Sequence, residues 1–148
     1  TLGGITMLES DTKEILLENV NLLIYGLSLS ESMDRKDSRA KIHRSANYKD
    51  TTFTIVFGHS PEFILEYKNE NVDLCLAGHT HGGQIKIPFY GPIFIGSHFP
   101  REWGDGFRIL GNIWFNVSAG IGSERVGGMP PIRFNCPPEM TLINLLPA

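Results

Sequence analysis

Two short apolar runs, residues 53–57 (Phe-Thr-Ile-Val-Phe) and 72–77 (Val-Asp-Leu-Cys-Leu-Ala), each stop at a glycine-histidine pair. That coincidence restricts the fold more than any other feature of the chain. Both runs are too short and too rich in β-formers for helices, so they read as buried strands. Between them, Ser60-Pro61-Glu62 has the chemistry of a helix start. The serine can cap, the proline suits the first helical position, and the glutamate complements the positive end of the dipole. A helix from there to about residue 70, with Phe63, Ile64 and Tyr67 on its apolar face, makes residues 53–77 one βαβ unit with a right-handed crossover. Parallel neighbours then carry His59 and His79 at the same carboxyl ends, where open α/β sheets bind ligands.

The histidine segments are Gly58-His59-Ser60-Pro61 and Gly78-His79-Thr80-His81-Gly82-Gly83-Gln84. His59, His79 and His81 are candidate metal ligands, because neutral imidazole suits zinc, manganese, iron and similar divalent ions. Gly78, Gly82 and Gly83 open backbone angles that other residues avoid and let the chain come close to an ion. His79 and His81 are separated by one residue. On a strand that spacing puts them on one face; in a loop it can aim them at two neighbouring ions. A structural zinc site would call for cysteines, yet only Cys75 and Cys136 exist, far apart in sequence. Cys75 reads as a small buried apolar side chain. The alternative is that the three are loop histidines with backbone partners.

At 148 residues the chain is the length of one domain, and 41% hydrophobic content can fill a core. A net charge of −3 argues against nucleic acid as a partner. The apolar stretches are of strand length, none spans a membrane, and no signal peptide is visible; location stays open between cytoplasmic and membrane-associated. Residues 5–8, 14–17 and 20–26 read as strands. Residues 29–50 read as a mobile polar loop, within which 35–43 could be an exposed helix, His43 a surface side chain, and Arg35, Arg39 or Arg44 a phosphate contact. Further strands are expected at 85–87, 92–95, 106–110, 113–118 and 140–146, with a hairpin turn at 110–112. Phe89, Tyr90, Phe94, Phe99 and Trp103 are either core packing under a long loop or a surface for an acyl chain or membrane. His98 among them is too isolated to be a ligand. Ser118-Ala119-Gly120-Ile121-Gly122 is small enough to admit a ligand or another loop, and is not a dinucleotide fingerprint. The pairs Pro130-Pro131 and Pro137-Pro138 fix the path of the segment between them.

With these motifs in order, the chain resembles the later part of the calcineurin-like metallophosphoesterases, in their YkuE- and YaeI-like bacterial phosphohydrolase branch. The resemblance rests on Gly-His-Ser-Pro at 58–61 and Val-Asp-Leu-Cys-Leu-Ala-Gly-His-Thr-His-Gly-Gly-Gln at 72–84. Ile87-Pro88, residues 116–122 and residues 132–139 support it. It implies an α/β (α+β) fold, the C-terminal portion of a β-sandwich flanked by helices, with a mixed sheet and one βαβ unit, over residues 1–148. It also implies two divalent ions (Mn, Fe or Zn) bridged by an aspartate and a water, with His59 and His79 on one ion and His81 on the other. Such a centre clamps phosphate oxygens and acidifies water for an in-line attack on a phosphate-ester substrate. Asp73 is a candidate acceptor behind an imidazole.

The family's earlier motifs, Asp-x-His, a Gly-Asp segment and Gly-Asn-His-Asp, do not occur; Gly111-Asn112 continues into Ile113-Trp114. The resemblance therefore covers only the C-terminal part of the domain, with no catalytic residue beyond the metal ligands. Three imidazoles without a carboxylate cannot neutralise two divalent ions, so fewer than two are expected in this chain alone. A fragment inactive in isolation is expected to rely on its missing N-terminal half, dimerise or swap elements. Two other readings stay open. One is a mononuclear zinc hydrolase with all three histidines on one ion; the other is a non-catalytic interaction module.

Overall fold

The computed structural model describes residues 4–17, 20–34, 52–68, 70–125, 128 and 130–146. Strands β1 (Asp11–Leu17), β2 (Val20–Gly26), β3 (Thr52–Phe57), β4 (Leu74–Ala77), β7 (Gly106–Leu110) and β8 (Ile113–Val117) form one mixed sheet in the order β1-β2-β3-β4-β8-β7. Its interior pairs, β2 with β3, β3 with β4 and β4 with β8, are parallel, and the two outer pairs are antiparallel. A separate ribbon joins β5 (Lys86–Ile87) to β6 (Gly91–Pro92). The expected β3–β4 unit is therefore present, but two further parallel pairings flank it. Both join segments distant in sequence, which local patterning does not register. Among the described residues the expected sandwich is represented by this one large layer.

Cross-strand register places Tyr25, Val56, Cys75 and Phe115 side by side on one face. They share a buried cluster with Phe63, Ile64, Tyr67, Phe99 and Ile113. Phe115 meets Phe99 at 5.8 Å and Trp103 at 5.7 Å between ring centroids, within the favourable range for tilted and edge-on aromatic pairs. Burial pushes the Cys75 thiol pKa far up, so it stays protonated and packs as a hydrophobe. On the opposite face the register lines up Ile24, Ile55, Leu74, Trp114 and Ile109. Ile55 and Leu74 are buried there, whereas Trp114 and Ile109 are about half exposed.

Several elements differ from expectation. The helix after Ser60 is a single 3-10 helix, Pro61–Glu66. Ser60 makes no side-chain cap; its hydroxyl donates instead to the Glu62 carboxylate. A 3-10 pitch aligns residues three apart, and so sets Ile64 and Tyr67 together in the core. Residues 5–8 contain a single bridge at Ile5, and residues 140–146 contain no strand. The start of the expected polar loop is a helix, α1 (Leu29–Met33), with a complete capping box between Ser28 and Glu31. Glu31 and Ser32 are buried. Residues 35–51, with the alternative helix at 35–43, Arg35, Arg39, His43 and Arg44, lie outside the described residues.

Candidate metal centre

Three loops meet at the carboxyl ends of β3, β4 and β8. Residues 58–60 follow β3, residues 78–84 follow β4, and residues 118–124 follow β8. The first two are tied by backbone bonds from Gly58 N to Leu76 O and from Gly78 N to His59 O, both 3.1 Å. The second takes an uncommon path: His79, His81, Gly82, Gly83 and Gln84 all have left-handed φ between +50° and +76°. Gly82 must be glycine for a second reason, since a Cβ there would sit 2.8 Å from Cys136 Sγ. Thr80 stabilises the turn by donating from its hydroxyl to Gly104 O and accepting from Gly82 N. Left-handed backbone costs a non-glycine residue about 1–2 kcal/mol, and here it falls on two candidate ligands.

His79 Nδ1 lies 2.9 Å from His59 Nε2, with the rings tilted and their centroids 4.7 Å apart. Two nitrogens each bound at roughly 2.1 Å to one ion sit about 3.0 Å apart at a right angle and about 3.4 Å apart at the tetrahedral angle. The observed 2.9 Å is the distance of a hydrogen bond between the two rings and lies close to the spacing that a shared ion would set. The opposite edge of His79 supports it, because Nε2 is 3.3 Å from Gly96 O. A proton held there leaves the Nδ1 lone pair toward His59. Partial desolvation, and then the neighbouring His79, lower the His59 pKa, with Glu124 pulling the other way. The net effect favours the neutral imidazole.

His81 faces a different set of groups. Its Nδ1 is 3.3 Å from Gly122 O and its Nε2 is 3.5 Å from Glu124 Oε1. Gln84 holds Glu124 by a two-point clasp: Nε2 donates to Glu124 O at 3.0 Å, and Oε1 accepts from Glu124 N. Among the described residues no three His, Cys, Asp or Glu side chains converge as one metal site. A single ion held by all three histidines therefore has no counterpart here; the arrangement is two pairs, His59 with His79 and His81 with Glu124. Beside them is a cavity of about 200 Å³ whose lining includes His79, His81 and Glu124 together with Ile85, Ile93, Phe94, Ile95 and Ile132.

Glu124 is a carboxylate that residue patterning does not place at the site, since it sits in a charged turn more than 40 positions from its histidine. Among the described residues Asp73 is not an acceptor behind an imidazole. It lies just before β4, where its carboxylate accepts from Thr54 N at 2.7 Å; the oxygens nearest the outer ring nitrogens of His79 and His81 are the carbonyls of Gly96 and Gly122. The aromatic loop divides. Phe99 is buried and Trp103 packs on it, whereas Phe89 is fully exposed, Phe94 lines the cavity and Tyr90 lies under the Arg101 guanidinium. His98 is exposed and contributes its backbone N–H to Glu62. Cys75 and Cys136 are free thiols.

No family model matches the chain, and no solved structure matches it. Curated proteins do. It is 38% identical over 96 residues to metallophosphoesterase YkuE of Bacillus subtilis, a match covering 65% of this chain and 32% of that protein. Phosphodiesterase YaeI of Escherichia coli is 33% identical over 92 residues, covering 62% of this chain and 32% of YaeI. Metallophosphoesterase YkoQ of Bacillus subtilis is 30% identical over 107 residues, covering 69% and 40%. The match spans about a third of the length of the first two relatives.

Proposed function

Because the chain belongs to the metallophosphoesterase family, as its carboxyl-terminal part, we propose that it supplies the histidine side of a binuclear centre that hydrolyses phosphate esters. The observation that carries this is the 2.9 Å approach of His59 Nε2 to His79 Nδ1, with the far nitrogen of His79 on a carbonyl. His59 and His79 hold one ion. His81, with Glu124 beside it, faces the other. Bound divalent ions (Mn, Fe or Zn) would supply Lewis-acid polarisation of the phosphate and a water acidic enough to act as nucleophile. The chain's own part is to present neutral imidazoles, hold their tautomers and border the substrate's path with an apolar wall. That wall (Ile93, Phe94 and Ile132) suits an ester whose alcohol is apolar or aromatic.

One carboxylate beside three imidazoles leaves two divalent ions under-neutralised. Further acidic ligands come from a missing N-terminal half of the same domain, whose packing also covers the Ile24–Ile109 face. The isolated chain is then inactive or nearly so, and a homodimer or element swap would hide the same surface. The test is to load the purified chain with manganese or zinc and measure metal per chain and hydrolysis of a generic phosphodiester. Fewer than two tightly held ions and negligible turnover are expected. Two ions per chain together with turnover would overturn the dependence on further carboxylates.

A further inference from the structure

We infer that Arg133 is the positioning residue of this site, bracing the His81 loop from behind and fixing which ring nitrogen of His81 faces the cleft. The inference rests on His81 being a metal ligand only for its metal readout; its structural content stands apart from that reading. Arg133 lies in the proline-bracketed segment that the proposed chemistry does not use. Its guanidinium donates to backbone carbonyls of five residues drawn from three stretches of chain. Nη1 reaches His81 O at 3.2 Å and Cys136 O at 3.3 Å. Nη2 reaches Ala119 O at 2.6 Å, Gly120 O at 3.1 Å and Gly122 O. Nε reaches Gly122 O at 3.0 Å.

Two of these carbonyls bear directly on His81. Its own carbonyl is held by Arg133 and, at 3.4 Å, by Cys136 Sγ. This grip lies where the backbone turns left-handed at His81, Gly82 and Gly83. The second is Gly122 O, which Arg133 grips from two nitrogens and which lies 3.3 Å from His81 Nδ1. With the ring proton on Nδ1, the Nε2 lone pair is left for a cation, which would also offset the Glu124 carboxylate whose Oε1 lies 3.5 Å away. Acceptors behind ligating histidines act in this way, and losing one typically costs 10–100-fold in metal affinity. Only a planar fork with five N–H groups can serve carbonyls arriving from so many directions; a lysine ammonium has three donors at one point.

The test uses the chain as it is, with Arg133→Lys and Arg133→Ala variants. Long-range ¹H–¹⁵N spectra of the metal-free protein, taken above pH 7.5, report the His81 tautomer. Wild type is expected to show the Nδ1–H form, and both variants to shift toward the Nε2–H form with unchanged circular dichroism. Zinc titration is expected to give a dissociation constant about 10–100-fold weaker in the variants. Millimolar guanidinium should restore part of the loss in Arg133→Ala and none in wild type. A wild-type His81 in the Nε2–H form would overturn the inference without any variant, so a variant that fails to fold does not leave it untested. Folded variants with the wild-type tautomer and affinity would overturn it too. A tautomer shift in a chain that binds no zinc would uphold the bracing role and count against the metal-centre proposal alone.

Discussion

Gly83→Ala separates the backbone cost of the His79–Gln84 turn from its packing cost. Gly83 has φ +76°, and a Cβ there would lie 2.5 Å from Pro92 Cβ and 2.6 Å from Phe94 O. One of those atoms is in a proline ring and the other in the backbone, so neither can rotate away. Gly91 has a similar φ, +87°, with nothing within 4 Å of its would-be Cβ. Alanine at either position bears the left-handed cost of about 1–2 kcal/mol. Only at 83 is there a clash as well, and overpacking against atoms that cannot move costs roughly 1–3 kcal/mol. Gly83→Ala should therefore be about 2 kcal/mol less stable than Gly91→Ala, a gap of roughly 4–8 °C in Tm for a chain of this size. Urea unfolding followed by the fluorescence of Trp103, which packs on Phe99 and Phe115, measures the difference. Two variants equal within about 0.5 kcal/mol would refute the claim that Pro92 and Phe94 confine the His79–Gln84 turn.

Phe115→Ala, at a completely buried position between Phe99 and Trp103, should lose about 3–5 kcal/mol; a loss under about 1 kcal/mol in urea would mean that the site collapses freely. Glu62 gives a pH dependence. Burial alone would raise its pKa, but hydrogen bonds from the Ser60 and Ser97 hydroxyls, its own N–H and that of His98 outweigh burial and bring it below the ordinary 4.5. A depressed folded pKa contributes stability above the unfolded value, and that share is lost as pH falls through the folded value. Wild type should weaken on acidification below about pH 4.5 more steeply than Glu62→Gln; parallel curves would count against the buried carboxylate. His59→Ala and His79→Ala should each weaken zinc binding strongly, and the double variant should add little, because either loss breaks the same nitrogen pair. Fully additive losses by calorimetry would show that the two rings serve different ions.

What the sequence discloses follows the range of the interactions. The β3–β4 unit is legible because its signals are local: two apolar runs, each ending at Gly-His, with a proline-led turn between them. Adjacent parallel strands with histidines at the same ends are enough to bring His59 and His79 together. The β2–β3 and β4–β8 pairings are chosen by partners far along the chain, and so is the approach of Glu124 to His81. The sequence around residue 124 resembles any solvated turn, and only the Gln84 clasp singles it out. Asp73 could have been excluded by counting. It lies at the amino end of β4, about 13 Å of strand away from the loop that begins at Gly78. The capping box at Ser28 and Glu31 was also readable; a charged composition around it obscured a helix of five residues.

The sheet's parallel seam between β4 and β8 has an evolutionary consequence. Everything from Gly78 to Asp105 is an excursion that leaves β4 and re-enters the sheet at β7, which hairpins into β8, the hydrogen-bonded neighbour of β4, with Ala77 and Val117 in register. Closing a longer loop between fixed ends is cheap, about 0.6 kcal/mol for each doubling of length. The turn at Phe89 and Tyr90 is exposed, while Ile93 and Phe94 a few residues on line the cavity beside the histidines. Insertions at that turn can reshape what the cleft accepts without touching the strands that carry His59 and His79. Length at that turn can therefore vary in evolution without disturbing the strand ends that precede His59 and His79.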